Sequence, residues 1–435
     1  MKTYSYPSPS AEKRIAGIVN RGFGFKKKDL RYVEGILEDV RKNGDDAVLT
    51  YVRRFDSPKL TPETIKVSDA EFASAQKQVD RSFMRALNRA ASQIESFHHH
   101  QLQKSWIDTR RPGTLLGQVV HPVDSAGIYV PGAKGGKTPL VSSVLMGGIP
   151  AKIAGVKRIV LATPPREDGS VNPYLLAAAR KVGVESIYKI GSAWAVGAMA
   201  YGTQTVPRVD VIVGPGNIYV TLAKKIVSHV VGIDMVAGPS EILILADESA
   251  RPEFAAADLL SQAEHDVMAS AMLVTDSQQV AENVVTATVE RMRNLSRKAV
   301  AEASFAKFGA VFTVPHMDVA IDLANRIAPE HLELHVRNPF EIVGRIRNAG
   351  AVFLGEYTPE PVGDYMAGPN HVLPTSGTAR FASALSVDNF IKKTSILHYS
   401  REAFFKESED IRRLAEIEGL DAHAESVNIR LRKGS

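Results

Sequence analysis

The chain changes its hydrophobic rhythm twice. From Asp29 to Arg41 and from Asp69 to Gln101, apolar residues recur at three- and four-residue spacings with charged faces between them. That spacing predicts amphipathic helices, and residues 1–110 read as helical. Short β-branched runs then take over at Gly127–Val130, Arg158–Leu161, Ser186–Ile190 and Val209–Val213. Alanine-rich helical stretches separate them: Val141–Ala154, Tyr174–Val182 and Ala193–Tyr201. A second series of runs follows at Glu241–Ala246, Ala271–Val274, Ala310–Val314 and Gly350–Leu354, with helices around 252–265, 277–305 and 317–327. Strands alternating with helices predict parallel βαβ units, here in two α/β blocks that meet near residues 235–242. After Asp388 the chain is charged and predicted helical to its end. That tail is too short for a core of its own, so it needs a surface to dock on, such as a partner subunit.

Composition narrows the function. A length of 435 residues suits two or three domains, and 44% hydrophobic with 23% charged residues is the balance of a soluble globular protein. The absence of cysteine excludes a disulfide scaffold, a thiolate-ligated metal and a thiolate nucleophile. Any metal must bind through imidazole, carboxylate or amide. A net charge of +5 suits an anionic cofactor and gives no case for nucleic acid. Met1–Pro7 lacks an apolar signal core, and Leu140–Val160 is interrupted by Gly147, Pro150, Lys152 and Lys157. The expectation is a cytoplasmic enzyme with no membrane partner.

Several motifs tempt. Pro131–Thr138 resembles a phosphate-binding G-x-x-x-x-G-K-[ST] loop, but proline holds the first glycine position and has no N–H for a phosphate cradle. Val213-Gly-Pro-Gly-Asn217 ends a strand with glycines, which a tight turn explains equally well. His331-Leu-Glu-Leu-His335 has the spacing of a zinc-protease helix with its Glu one position late, and its alternation suits a strand. His98-His99-His100 reads as a solvated helix end.

Three segments keep a chemical meaning. Gln262 and His265 lie three residues apart at the end of an apolar helix, so an amide oxygen and an imidazole can converge on one ion. Glu330 and His331 place a carboxylate beside an imidazole, a pair able to take protons from an alcohol and a water. Gly363–His371 is a glycine-flanked loop rich in ligands, with Glu360 just upstream.

Together these segments carry a resemblance to the histidinol dehydrogenase family. It rests on Gly127–Gly132, Pro150–Val156, Val213–Asn217, Gly232–Glu241, Asp258–Asp266, Ala328–Leu334, Gly363–Thr375 and Gly377–Phe381, in family order from about residue 30 to the tail. The resemblance implies oxidation of L-histidinol through L-histidinal to L-histidine, the last two steps of histidine biosynthesis, with two NAD reduced. It implies zinc held by Gln262, His265, Asp364 and His423, orienting the substrate, the last ligand coming from the other subunit of a homodimer. Glu330 and His331 match the proton acceptors. Substrate contacts match Ser240, Glu360, Glu418 and His423, besides Gln262, His265, His331 and Asp364. NAD contacts match Tyr129 and Asn217. A third is usually Gln in the family; here Trp194 stands in that stretch, which cannot accept a hydrogen bond and would stack on a cofactor ring instead. The 131–139 loop is longer than usual. The fold so implied is α/β, two Rossmann-like parallel-sheet domains formed by residues 1–128 with 242–385 and by 129–241, with a helical tail, 386–435, exchanged in the dimer. The nearest alternative is a related zinc- and NAD-dependent dehydrogenase of another amino alcohol or a sulfonated diol.

Overall fold

The structure is a computed structural model that describes residues 1–20, 25–132 and 138–432. Its strands are β1 (Thr3–Ser5), β2 (Trp106–Asp108), β3 (Thr114–Pro122), β4 (Ser125–Tyr129), β5 (Arg158–Ala162), β6 (Ser186–Tyr188) and β7 (Val211–Val213). They continue with β8 (Gly232–Ile233), β9 (Glu241–Ala246), β10 (Ser270–Thr275), β11 (Ala310–Thr313), β12 (His331–His335), β13 (Ala351–Leu354) and β14 (Ile391–Tyr399). Two units form, Met1–Gln101 with Val123–Phe390, and Leu102–Pro122 with Ile391–Ser435.

The first unit holds two parallel sheets. One has five strands in the order β6-β5-β4-β7-β8, the other six in the order β1-β11-β10-β9-β12-β13. Parallel sheets need cover on both faces, and the strands are apolar on both. In β9, Ile242 and Ile244 pack into one core cluster with the helix Pro252–Ala263, while Leu243 and Leu245 pack into another with the helix Met317–Ile327. Residues 233 and 241 lie in different sheets, so the crossing between them falls in the segment where the two sequence blocks were expected to meet. In the five-stranded sheet the strand order reverses between β4 and β7, and a crevice opens at the carboxyl ends of strands at such a reversal.

The second unit is an antiparallel sheet, β14-β3-β2, followed by the helices Arg401–Ile417 and Asp421–Leu431. All nine residues of β14 pair with β3, from Ile391 opposite Pro122 to Tyr399 opposite Thr114.

Two local expectations change. The tail is not helical from Asp388, because β14 precedes its helices; that strand is mostly exposed, so it lacks the alternating apolar signal of a half-buried strand. Residues 1–110 are not wholly helical either, since Thr3–Ser5 adds a parallel strand beside β11, and three residues are too few to show a period. No helix among the described residues is long and apolar enough to cross a membrane.

Candidate active site

The carboxyl-side turn of the helix Met317–Ile327 delivers Glu330 and His331 to the start of β12, between β9 and β13. Both side chains are buried. The His331 Nδ1–H donates to the Glu241 carbonyl at 2.7 Å, so the unprotonated nitrogen is Nε2. Burial, and then the neighbouring His371, push the His331 imidazole down to about 3, which keeps the ring neutral across the physiological range. Glu330 and Glu241 brace each other. The Glu330 carboxylate accepts the Glu241 N–H at 2.8 Å, and the Glu241 carboxylate accepts the Glu330 N–H at 3.3 Å. Glu241 also accepts the Ser376 N–H at 2.7 Å, which ties the end of the Gly363–Thr375 loop to the base of β9.

His371, half-buried, joins the buried His331 and Glu360 in a relay. Its ring stacks on His331 with centroids 4.7 Å apart, and its Nε2 lies 3.0 Å from His331 Nε2 and 2.9 Å from the Glu360 carboxylate. Burial raises the Glu360 carboxyl, but the His371 hydrogen bond and the nearby imidazoles outweigh this and hold it below its usual range. An ionised Glu360 only accepts, so the proton sits on His371 Nε2, between the carboxylate and the free nitrogen of His331. Gly363 makes this approach possible: a Cβ there would stand 2.7 Å from the Phe353 ring and 3.2 Å from His371 Nδ1.

The neighbouring Asn370 is anchored from behind. It donates to the Met146 carbonyl at 2.7 Å and lies 3.3 Å from Nε2 of His98. His98 is therefore not a solvated residue at the helix end. It is fully buried, and desolvation pushes its imidazole down to about 4.

Among the residues expected to hold zinc, Gln262 is buried on the helix Pro252–Ala263, and its carboxamide oxygen has no hydrogen-bond partner. His265 follows just past that helix, is exposed, and acts electrostatically on both His331 and Glu360. Asp364 is half-buried on the short helix Glu360–Tyr365, where its charge helps push the Tyr365 hydroxyl up to about 12. An orphaned buried amide oxygen three residues before an imidazole suits part of a zinc-type donor set. Ser240 is half-buried at the foot of β9. Glu418, at the end of the helix Arg401–Ile417, and His423, on the helix Asp421–Leu431, belong to the second unit and are exposed. Two tight clusters of metal-capable groups occur among the described residues, His331/Glu360/His371 and Asp258/Glu333/His335, and neither is the expected zinc set.

The three residues expected to contact NAD do meet. Tyr129, Trp194 and Asn217 line one cleft of about 560 Å³ with Asp56, Phe55 and Gly132, at the carboxyl ends of the five-stranded sheet. The Tyr129 hydroxyl accepts the Ser192 N–H at 3.0 Å, at the start of the helix Ser192–Tyr201. Asn217 caps the helix Ile218–Val227, accepting from Tyr219 and Val220. Helix N-termini facing a crevice suit a pyrophosphate. Gly214 shapes the turn between them: its φ is +119°, and a Cβ there would meet the Tyr129 carbonyl oxygen at 2.1 Å. A buried Lys224–Asp234 ion pair holds the same turn, Lys224 donating to the Gly214 carbonyl at 2.9 Å and Asp234 accepting the Gly214 N–H at 2.8 Å. Trp194 is 6% exposed and stacks on Tyr51 and Phe55, with centroids 5.6 and 5.5 Å away, so the ring serves internal packing as well as lining the cleft. Residues 133–137 of the Pro131–Thr138 loop lie outside the described residues. A larger open groove of about 940 Å³, beside Arg81, Arg85 and Arg180, contains none of these residues.

Similarity to known proteins agrees with this geometry. Residues 23–431 match the family model described as histidinol dehydrogenase. A histidinol dehydrogenase from Desulfotalea psychrophila is 55% identical over 400 residues, covering 92% of each chain. One from Caldanaerobacter subterraneus is 53% identical over 413 residues, covering 95% of each. The crystal structure of histidinol dehydrogenase from Elizabethkingia anophelis superposes with a TM-score of 0.92 at 38% identity, covering 99% of this chain and 98% of that one. With the paired Glu330 and His331 and the cleft at the strand-order reversal, this places the chain in the histidinol dehydrogenase family.

Proposed function

We propose that the protein oxidises L-histidinol through L-histidinal to L-histidine, reducing two NAD, and that Gln262, His265 and Asp364 with the partner subunit's His423 hold zinc. Bound there, zinc would supply orientation of the substrate more than activation of its alcohol. NAD in the Tyr129–Asn217 cleft supplies the hydride acceptor. The observation that carries the reading is the state of His331: buried, neutral, with Nδ1–H committed to the Glu241 carbonyl and an unprotonated Nε2 that faces His371 Nε2 at 3.0 Å. His331 takes the alcohol proton at Nε2 as hydride departs. His371 faces that nitrogen, orients it and disfavours its protonation, while the Glu360 carboxylate holds His371 in place. Glu330, adjacent and buried, takes a proton from the water that attacks the aldehyde, and His331 serves again in the second oxidation.

Dimer formation is part of the proposal. The tail presents Leu414, Ile417 and Leu420 at 63%, 66% and 39% exposure, apolar area that a second subunit would cover. With Glu418 and His423 on the same exposed segment, docking would bring them to a partner's site and help retain the reactive aldehyde.

The half-reactions test the roles. His331→Asn should suppress alcohol oxidation, and Glu330→Gln should impair aldehyde oxidation most. Full alcohol oxidation by the first variant, or equal loss of both half-reactions in the second, would contradict the assignment.

A further inference from the structure

Behind the site lies a second set of buried polar side chains that the reaction does not use. β12 alternates His331, Glu333 and His335 on one face, while Leu332 and Leu334 pack into the core on the other. Glu333 and His335 are almost wholly buried, and their Oε2 and Nε2 atoms are 3.1 Å apart. Asp258 brings a second carboxylate to the same imidazole, 3.6 Å from Nε2. The other Glu333 oxygen accepts the Glu360 N–H at 2.8 Å.

Each end of this chain meets an element that carries the active site. Asp258 sits one helical turn before Gln262 on the helix Pro252–Ala263, and His265 follows directly. Glu333 sits two residues from His331 on β12. Glu360 opens the helix that bears Asp364, and its carboxylate holds His371. We propose that Asp258, His335 and Glu333 are positioning residues, which fix the helix that carries Gln262 and leads into His265, the strand carrying His331 and the segment carrying Glu360 and Asp364 in one geometry. The inference rests on the zinc-dependent reading above.

Stability alone does not account for the cluster. Two carboxylates and an imidazole out of water lose more hydration than their attraction recovers, and well-packed apolar residues would serve a core as well or better. Burial, and then Glu333, push the Asp258 carboxyl up to about 7. What apolar residues cannot supply is direction. Groups outside a metal's own ligands orient those ligands, and their loss typically weakens metal binding 10- to 100-fold.

The test uses purified full-length protein with the near-isosteric variants Asp258→Asn and Glu333→Gln. Zinc affinity is read by competition with a chelator, folding by thermal unfolding of the metal-free protein, and catalysis as kcat and the KM for NAD. The expected result is zinc binding weakened by roughly 10- to 100-fold and kcat reduced, with the KM for NAD unchanged and the metal-free melting temperature close to that of the parent. Wild-type zinc affinity and kcat in either folded variant would overturn the inference. So would losses that track only a lowered melting temperature. If Glu333→Gln does not fold, Asp258→Asn decides. A parent protein that binds no zinc would instead refute the underlying reading.

Discussion

Replacing Gly214 by alanine tests the proposed cofactor cleft through backbone geometry alone. The new Cβ would stand 2.1 Å from the Tyr129 carbonyl oxygen and 3.1 Å from its carbon. The first distance is about 1.4 Å short of the ~3.5 Å at which heavy atoms meet without overlap. No side chain can yield, because the obstacle is the backbone at the end of β4. The φ of +119° adds strain of about 1–3 kcal/mol for any residue with a Cβ. The turn between β7 and Asn217 must therefore shift by something near 1 Å relative to Tyr129, a displacement large enough to cost on the order of 100-fold in rate. Initial rates at saturating L-histidinol with varied NAD should show kcat/KM for NAD reduced about 100-fold and the melting temperature lowered by several degrees. Zinc content should be unchanged, because Gln262 and His265 belong to a helix segment packed on the other sheet. A folded variant with the parent's kcat/KM for NAD would refute both the steric argument and the placement of the cofactor.

Other consequences follow from the same geometry. Gly363→Ala should lower kcat strongly while sparing NAD binding, because its Cβ would press on the Phe353 ring and His371; unchanged kcat would show that the loop yields freely. Trp194→Ala should destabilise by about 3–5 kcal/mol, as for other buried aromatic truncations, measured by denaturant unfolding. Asp56→Asn has a pH signature. Burial raises the Asp56 carboxyl to about 7, against partial lowering by the Trp194 indole and the Gly191 amide. Between roughly pH 4 and 7 the folded state therefore holds a proton that the unfolded state has lost, and Asp56 adds stability as pH falls through that window. Relative to the parent, the variant should lose up to about 1.4 kcal/mol per pH unit on acidification there. Parallel stability profiles would contradict the assignment.

The sequence pattern carried the parallel sheets well, because strands buried on both faces are continuous apolar runs. β9 is the clear case: Glu241–Ala246 was read as a strand with the same limits the structure gives it. β14 escaped because its residues are mostly exposed and several are charged, and β1 because three residues show no period. At the site, Tyr129, Trp194 and Asn217, the residues expected to contact NAD, fall 23 to 88 positions apart, and only the ordering of strands around a reversal explains why they share a cleft. His371 lay inside a quoted block without a role, since its meaning depends on a ring stacked against His331 from 40 residues away. His98 misled in the opposite direction: its charged, His-rich surroundings suggest solvent, whereas packing under Asn370 buries it.

The central claim is a zinc-dependent oxidation of histidinol by two hydride transfers. It is tested most directly by counting NADH formed per L-histidinol consumed, in enzyme as purified, after chelation, and after zinc is restored. The account predicts two NADH per histidinol, activity lost on chelation and recovered with zinc. One NADH per histidinol with free aldehyde accumulating, or full activity in demonstrably zinc-free enzyme, would contradict it.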